Sequence, residues 1–174
     1  ITDRFPADRL DKSIKGFIAP YKHMVDSVNN RVIGRSLHDL DSDDRNGGYA
    51  KWAADYARWF GQLVLVIING RDGMPQRLDI GVMNVGGIRQ NMPKGDVTEG
   101  QILATFPFAN HMVITAVKGA DIMDALKVAA KKGGEGISGN VRVVVDKDHN
   151  LKRVVVDGRE MDPEKTYTVA TIDY

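Results

Sequence analysis

The chain has 174 residues, of which 43% are hydrophobic and 27% charged, so we predict one globular domain over residues 1–174 with a sizeable core. Its 24 basic and 23 acidic side chains leave a formal net charge of +1, which argues against nucleic acid as the main partner. The absence of cysteine excludes disulfides, thiolate metal sites and a cysteine nucleophile. No apolar run has the length of a membrane-spanning helix, so no membrane span is expected in this chain.

The chain begins with an amphipathic pattern. Apolar residues recur every three or four positions from Ala7 to Asn30, which predicts a helix. Pro20 falls inside this pattern and is expected to kink or divide the helix. The following segment, Arg31–Gly34, predicts a short strand.

A second helix is predicted after a polar, turn-rich segment that contains Arg45. Apolar and aromatic residues follow at helical spacing from Tyr49 to about Asn69. Residues 63–68 alone would favour a strand by β-propensity, but they continue the same stripe, so one long helix is favoured. A loop over Gly70–Gln76 is predicted to lead to the next strand.

The central feature of the sequence is a glycine loop directly after an apolar strand. Residues Leu78–Met83 predict the strand, and the loop is Asn84-Val85-Gly86-Gly87-Ile88-Arg89. The glycines let backbone approach a ligand closely, and Arg89 supplies a planar, permanently charged fork. These features suit a binding site, but a glycine pair after a strand is by itself more often an ordinary tight turn.

Another loop with ligand-type side chains follows a short helix. Thr98 and Gln101 form a capping-box pattern for that helix. The loop after it, Phe106-Pro107-Phe108-Ala109-Asn110, is aromatic and ends in an amide. We expect Phe106 to be buried and Phe108 to be exposed.

The last third of the chain predicts a strand, a helix, a hairpin and a final strand. Their segments are 113–117, 122–129, 141–145 paired with 151–156, and 167–172. The run Gly133-Gly134-Glu135-Gly136 lacks the Gly-Lys-Ser/Thr ending of a P-loop. It therefore favours a helix terminus over a phosphate cradle.

No catalytic or metal-ligating pattern is visible in the chain. Its four histidines are far apart and lack ligand partners at helical or short-loop spacing, which favours structural or solvent-facing roles: His23, His38, His111 and His149. The Asp-x-His and Gly-Asn-His patterns of a two-metal phosphoesterase are missing, and no Ser-His-Asp arrangement follows from the sequence. We therefore predict no catalytic residue, metal site or cofactor in this chain.

Five motifs in order carry a family resemblance. They are the loop Asn84–Arg89, Pro107–Asn110, Lys118-Gly119 before a helix, Ile137-Ser138-Gly139 and Tyr167–Thr171. Together they resemble the C-terminal domain of the 5'-nucleotidase and UDP-sugar hydrolase family. The resemblance implies an α+β fold, an α/β/β/α sandwich that holds the nucleoside end of the substrate. It also implies that a catalytic metallophosphoesterase domain with two divalent metal ions lies outside this chain, and that the protein is periplasmic or in the cell envelope.

The resemblance also implies roles for individual residues. Asn84 and Arg89 would contact the substrate, with Arg89 near the phosphate. Phe108 would stack on the base, with Asn110 beside it. Arg45 matches an upstream substrate arginine more loosely, because the residues that follow it depart from the family pattern.

Two function classes remain open at this stage. One is the nucleotide-recognition domain of a phosphohydrolase, with hydrolysis carried by a partner domain or chain. The other is a stand-alone, non-catalytic nucleotide-binding or interaction module. The family continues past the position of Tyr174 into a segment with a second stacking aromatic, so one aromatic face is expected to hold a base here.

Overall fold

The computed structural model describes residues 11–45, 47–67 and 77–173. The first helix, α1 (Lys12–Asn29), begins at Asp11, whose carboxylate accepts hydrogen bonds from the backbone N–H groups of Ser13 and Ile14. Pro20 lies inside α1 and does not divide it. The predicted start of this helix, residues 7–10, lies outside the described residues.

The remaining elements are helices and short strands, and the last five of them are strands. After β1 (Val32–Ser36) and α2 (Gly48–Ile67), the chain forms β2 (Ile80–Met83), a 3₁₀ turn (Val85–Gly87), β3 (Gly95–Thr98), α3 (Glu99–Thr105), β4 (Met112–Lys118), α4 (Gly119–Lys131), β5 (Gly136–Ile137), β6 (Val141–Val145), β7 (Leu151–Val156), β8 (Arg159–Glu160) and β9 (Thr166–Ile172). The single long second helix is confirmed to Ile67, and the predicted loop over 70–76 lies outside the described residues.

A four-stranded sheet in the order β4-β9-β2-β5 lies at the centre of the fold. Strand β2 runs parallel to β9, whereas β4 with β9 and β5 with β2 are antiparallel. Helix α2 packs on one face of this sheet, where its Leu65 joins Leu78 and Ala170 in a buried cluster. Alanines on the buried side of α2 allow the helix to lie close to the strands.

The opposite face of the central sheet is covered by a second sheet and by α4. The second sheet has the order β6-β7-β8. Ile80 and Val169 of the central sheet pack with Val154 and Val156 of β7 and with Leu126 of α4. Val154 and Val156 lie two positions apart in β7, so both side chains point to the same face of the strand. The predicted α+β sandwich is confirmed.

A separate two-stranded ribbon lies beside α2. Strands β1 and β3 pair antiparallel, with Val32 opposite Thr98 and Ser36 opposite Gly95. The sequence predicted no strand between Arg89 and Thr98, but the structure has one that starts at Gly95. Strand β3 begins there and ends at the capping box of α3, in which Thr98 and Gln101 bond to each other's backbone as predicted.

Candidate functional site

The glycine loop is a tight 3₁₀ turn at the end of β2. Two backbone hydrogen bonds close it: Gly87 N–H donates to the Asn84 carbonyl at 3.0 Å, and Ile88 N–H donates to the Val85 carbonyl at 3.0 Å. The loop ends where Arg89 N–H donates to the carbonyl of Thr105 at 2.9 Å, the last residue of α3. The glycine loop is therefore fastened to the helix that precedes the aromatic loop.

This connection brings Arg89 and Phe108 together. The guanidinium carbon of Arg89 lies 5.8 Å from the centroid of the Phe108 ring, within the range of a cation–π contact. Nη1 of Arg89 also donates to the carbonyl of Gly86 at 3.0 Å, which orients the guanidinium over its own loop. Both side chains are exposed, with Phe108 45% accessible.

The aromatic loop forms one side of a groove of about 660 Å³. The ribbon β1–β3 forms the other side, and one face of α2 lies between them. The lining is mostly apolar and includes Phe106, Phe108, Met112 and Ile172 near the central sheet. Phe106, which was predicted to be buried, is half-buried and meets the buried Tyr49 ring edge-on at 5.8 Å. Phe108 is exposed, as the sequence predicted.

The two asparagines of the candidate site differ in their surroundings. Asn110 lines the groove together with Phe108. Asn84 is half-buried, and its Oδ1 atom is buried without a hydrogen-bond partner among the described residues. The groove lining includes Gly87 of the glycine loop but neither Asn84 nor Arg89, which therefore lie at its edge or behind it.

Arg45 lies in a different place. It lines a second cavity of about 390 Å³ between the start of α2, the end of α4 and the β6–β7 hairpin. Lys51 and Glu135 are among the charged residues of this cavity, and its described lining includes no residue of the glycine loop or the aromatic loop. The structure thus places Phe108 and Asn110 in the lining of one groove, with Arg89 beside Phe108, and places Arg45 in another cavity.

The histidine and carboxylate side chains of the described residues do not gather into a metal site. Among the described residues there is no group of three or more histidine, cysteine, aspartate or glutamate side chains that would hold a metal ion. All four histidines are exposed. His111 lies beside Asp173, where its backbone N–H and its Nδ1 atom lie 2.7 and 3.0 Å from the carboxylate, and hydrogen bonding holds the pKa of Asp173 below its usual range.

Part of the groove comes from residues that the sequence had indicated only as helix-forming. Trp52, Tyr56 and Phe60 line it from α2 and stack in succession, with ring centroids 5.9 and 6.0 Å apart. Their four-residue spacing predicted that they share one face of a helix. Three large aromatic side chains on one helix face also indicate an apolar surface that is partly exposed, and this was the signal in the sequence that could have revealed the groove. Within the described residues, no helix is both long and apolar enough to cross a membrane.

The fold is thus a two-sheet α+β sandwich whose glycine loop and aromatic loop meet at the edge of a groove. A family model for "5'-nucleotidase, C-terminal domain" matches residues 31–174. The crystal structure of a 5'-nucleotidase precursor from Thermus thermophilus has the same fold, with a TM-score of 0.69 and 22% identity over 91% of this chain and 32% of that chain.

Two curated relatives agree with the family model. Protein UshA of Yersinia enterocolitica is 34% identical over 100 residues, which are 55% of this chain and 18% of that protein. Protein UshA of Escherichia coli (strain K12) is 32% identical over 118 residues, 66% of this chain and 20% of that protein. The chain belongs to the 5'-nucleotidase family, to its C-terminal domain, and spans about a fifth of the length of these relatives.

Proposed function

We propose that this chain is the nucleotide-recognition domain of a 5'-nucleotidase-type phosphohydrolase that takes part in nucleotide breakdown. The hydrolysis itself, with its pair of divalent metal ions, is carried by a metallophosphoesterase domain in the same protein or in a partner chain. An envelope or periplasmic location belongs to the same proposal, and it rests on family resemblance.

The contact between Arg89 and Phe108 is the observation that carries this proposal. A guanidinium donates charge-assisted and often bidentate hydrogen bonds to phosphate oxygens, and an aromatic face accepts any base. With the two groups 5.8 Å apart at the edge of one groove, a single small ligand can reach both. Asn110 offers an amide in the same groove. The assignment of Asn84 to the ligand rests on family resemblance, since its Oδ1 atom is buried.

Arg45 is assigned a more distant role. It lines the cavity on the α4 side of the fold, so a ligand held by Phe108 and Asn110 would reach it only if the ligand extends beyond the groove. We propose that Arg45 contributes less than Arg89 to the binding of a nucleoside monophosphate.

The test is a titration of AMP and of adenosine into the chain, followed by NMR. Arg89→Ala removes hydrogen bonds to the charged phosphate of AMP, so we expect it to weaken AMP binding by about tenfold or more. Adenosine has no phosphate, so its binding should weaken far less. Loss of stacking predicts that Phe108→Ala weakens both ligands by about fivefold or more. Matched controls are Arg153→Ala on the exposed side of β7 and Phe17→Ala on α1, which leave both affinities unchanged.

Two results would contradict this assignment. If Arg89→Ala weakens AMP and adenosine binding equally, Arg89 does not contact the phosphate. If the ligand changes no chemical shift in either loop, the groove is not the nucleotide-binding site. The highly purified chain is also expected not to hydrolyse AMP or UDP-glucose with Mn²⁺, Co²⁺ or Zn²⁺. Turnover under those conditions would refute the proposal that a different domain carries out the hydrolysis.

A further inference from the structure

The start of the glycine loop is held by a side chain from a distant part of the sequence. The backbone N–H of Val85 donates to the Oε1 atom of Glu135, which is half-buried. Val85 is the first residue of the 3₁₀ turn, and the other fixed end of the loop is the bond from Arg89 N–H to Thr105. Glu135 and Thr105 therefore fasten the two ends of the segment that carries Arg89.

The local fold explains why Glu135 is placed there. Helix α4 ends in a Schellman motif, in which Gly134 N–H donates to the Ala129 carbonyl at 2.9 Å and Gly133 N–H to the Ala130 carbonyl at 3.1 Å. The chain then enters β5, where Gly136 pairs with Met83 of β2. The glycine run is thus the end of a helix, as predicted, and it delivers Glu135 next to the glycine loop.

The Glu135 carboxylate replaces a backbone acceptor just beyond the end of the β2–β5 pairing. Pairing of β2 with β5 stops at Met83 and Gly136, because Gly134 has turned back toward α4. Val85 N–H, two residues beyond Met83, would have lost its backbone acceptor at that point. Glu135 supplies an ionised acceptor instead, and hydrogen bonds to charged groups are about twice as strong as neutral ones.

We propose that Glu135 is a positioning residue that fixes the glycine loop so that Arg89 faces an anionic ligand. This inference rests on the proposed function. Glu135 itself does not need to contact the ligand: it acts through Val85 on the turn whose Gly86 carbonyl orients Arg89. Phe108 belongs to the other loop, so Glu135 acts on phosphate recognition more than on base recognition.

The variants Glu135→Ala and Glu135→Gln separate this role from general stability. Glutamine keeps a neutral acceptor within reach of Val85 N–H, whereas alanine removes the acceptor. The matched control is Glu160→Ala, which removes an exposed carboxylate on β8. The full chain is compared in three measurements: the chemical shift and hydrogen exchange of the Val85 amide, the affinities for AMP and adenosine, and the melting temperature.

We expect Glu135→Ala to weaken AMP binding by up to about tenfold, because a loop that is no longer held must be ordered, together with Arg89, when AMP binds. Adenosine binding falls by less, and Glu135→Gln restores most of the AMP affinity. The Val85 amide moves upfield and exchanges faster in Glu135→Ala, and neither change occurs in Glu160→Ala.

An unchanged Val85 amide in Glu135→Ala would overturn the proposal, and so would equal losses of AMP and adenosine affinity. If the wild-type chain binds no nucleotide, the proposed function fails and the claim about phosphate fails with it. The Val85 amide still decides separately whether Glu135 anchors the loop.

Discussion

Substitution of Gly81 by alanine tests how tightly α2 is packed against the strand that leads to the glycine loop. A Cβ atom at this position would lie 2.1 Å from the carbonyl oxygen of Ala54 and 2.9 Å from Cβ of Arg58. Both atoms are part of α2 or fixed directly to its backbone, so they cannot swing away as the tip of a long side chain can. The helix and β2 must separate to admit one methyl group.

Overpacking of this kind destabilises proteins by about 1–3 kcal/mol and sometimes more. Because the backbone has to move, we expect Gly81→Ala to fall at the upper end of this range, at about 3 kcal/mol. For a domain of this size each kcal/mol lowers the melting temperature by about 2–4 °C, which gives a decrease of about 6–12 °C. The total stability of a typical domain is about 5–15 kcal/mol, so most of the chain stays folded at 25 °C.

The measurement is thermal unfolding followed by circular dichroism, with urea unfolding as a second estimate of the free energy. Gly34→Ala in β1 is the matched control, because a Cβ atom there would have no other heavy atom within 4 Å. Its effect is expected to stay within about 1 kcal/mol. A melting temperature of Gly81→Ala equal to that of Gly34→Ala would refute the close packing of α2 on β2.

Two further predictions concern single hydrogen-bonding groups. Thr98→Ala removes the side-chain oxygen that accepts a hydrogen bond from Gln101 N–H at the start of α3. We expect this to lower the free energy of unfolding, measured by urea titration, by about 1 kcal/mol. Thr98→Ser keeps the hydroxyl and should retain most of the stability. Hydrogen bonds from Asn150, assisted by Lys152, hold the pKa of Asp146 well below its usual range. Because the folded-state pKa is lowered, the carboxylate stabilises the hairpin above the unfolded pKa of about 3.9 and loses this contribution as the pH falls toward the folded value. An NMR titration in which Asp146 protonates near about pH 4 would contradict this.

Sequence periodicity located the elements that have one buried face. Helix α2 could be predicted through 63–67, against the β-propensity of those residues, because its apolar stripe continues without a break. Strand β3 was missed because Gly95 and Asp96 have low strand propensity and because its pairing with β1 depends on residues about 60 positions earlier. Strands β5 and β8 have two residues each, too few to show alternation.

The site was less accessible to sequence reasoning than the fold. The glycines and Arg89 marked a loop, but the approach of Arg89 to Phe108 depends on the hydrogen bond between Arg89 N–H and Thr105, which no periodicity encodes. The assignment of Phe108 and Asn110 depended on family resemblance. Glu135 was noticed only within a glycine-rich helix end, since its bond to Val85 spans 50 positions.

Gly81 and Glu135 affect the same loop by different physical routes, and this allows the two to be separated. Gly81 acts through the packing of α2 on β2, so its substitution is expected to lower stability first and to weaken AMP and adenosine binding together. Glu135 acts through one charged hydrogen bond at the start of the turn, so its substitution should lower the melting temperature less than Gly81→Ala does and should lower AMP affinity more than adenosine affinity. A loop fixed at both ends needs little reordering when a phosphate binds, which preserves affinity that a mobile loop would lose. The ratio of AMP to adenosine affinity therefore reports the position of Arg89, and the melting temperature reports the packing beneath it.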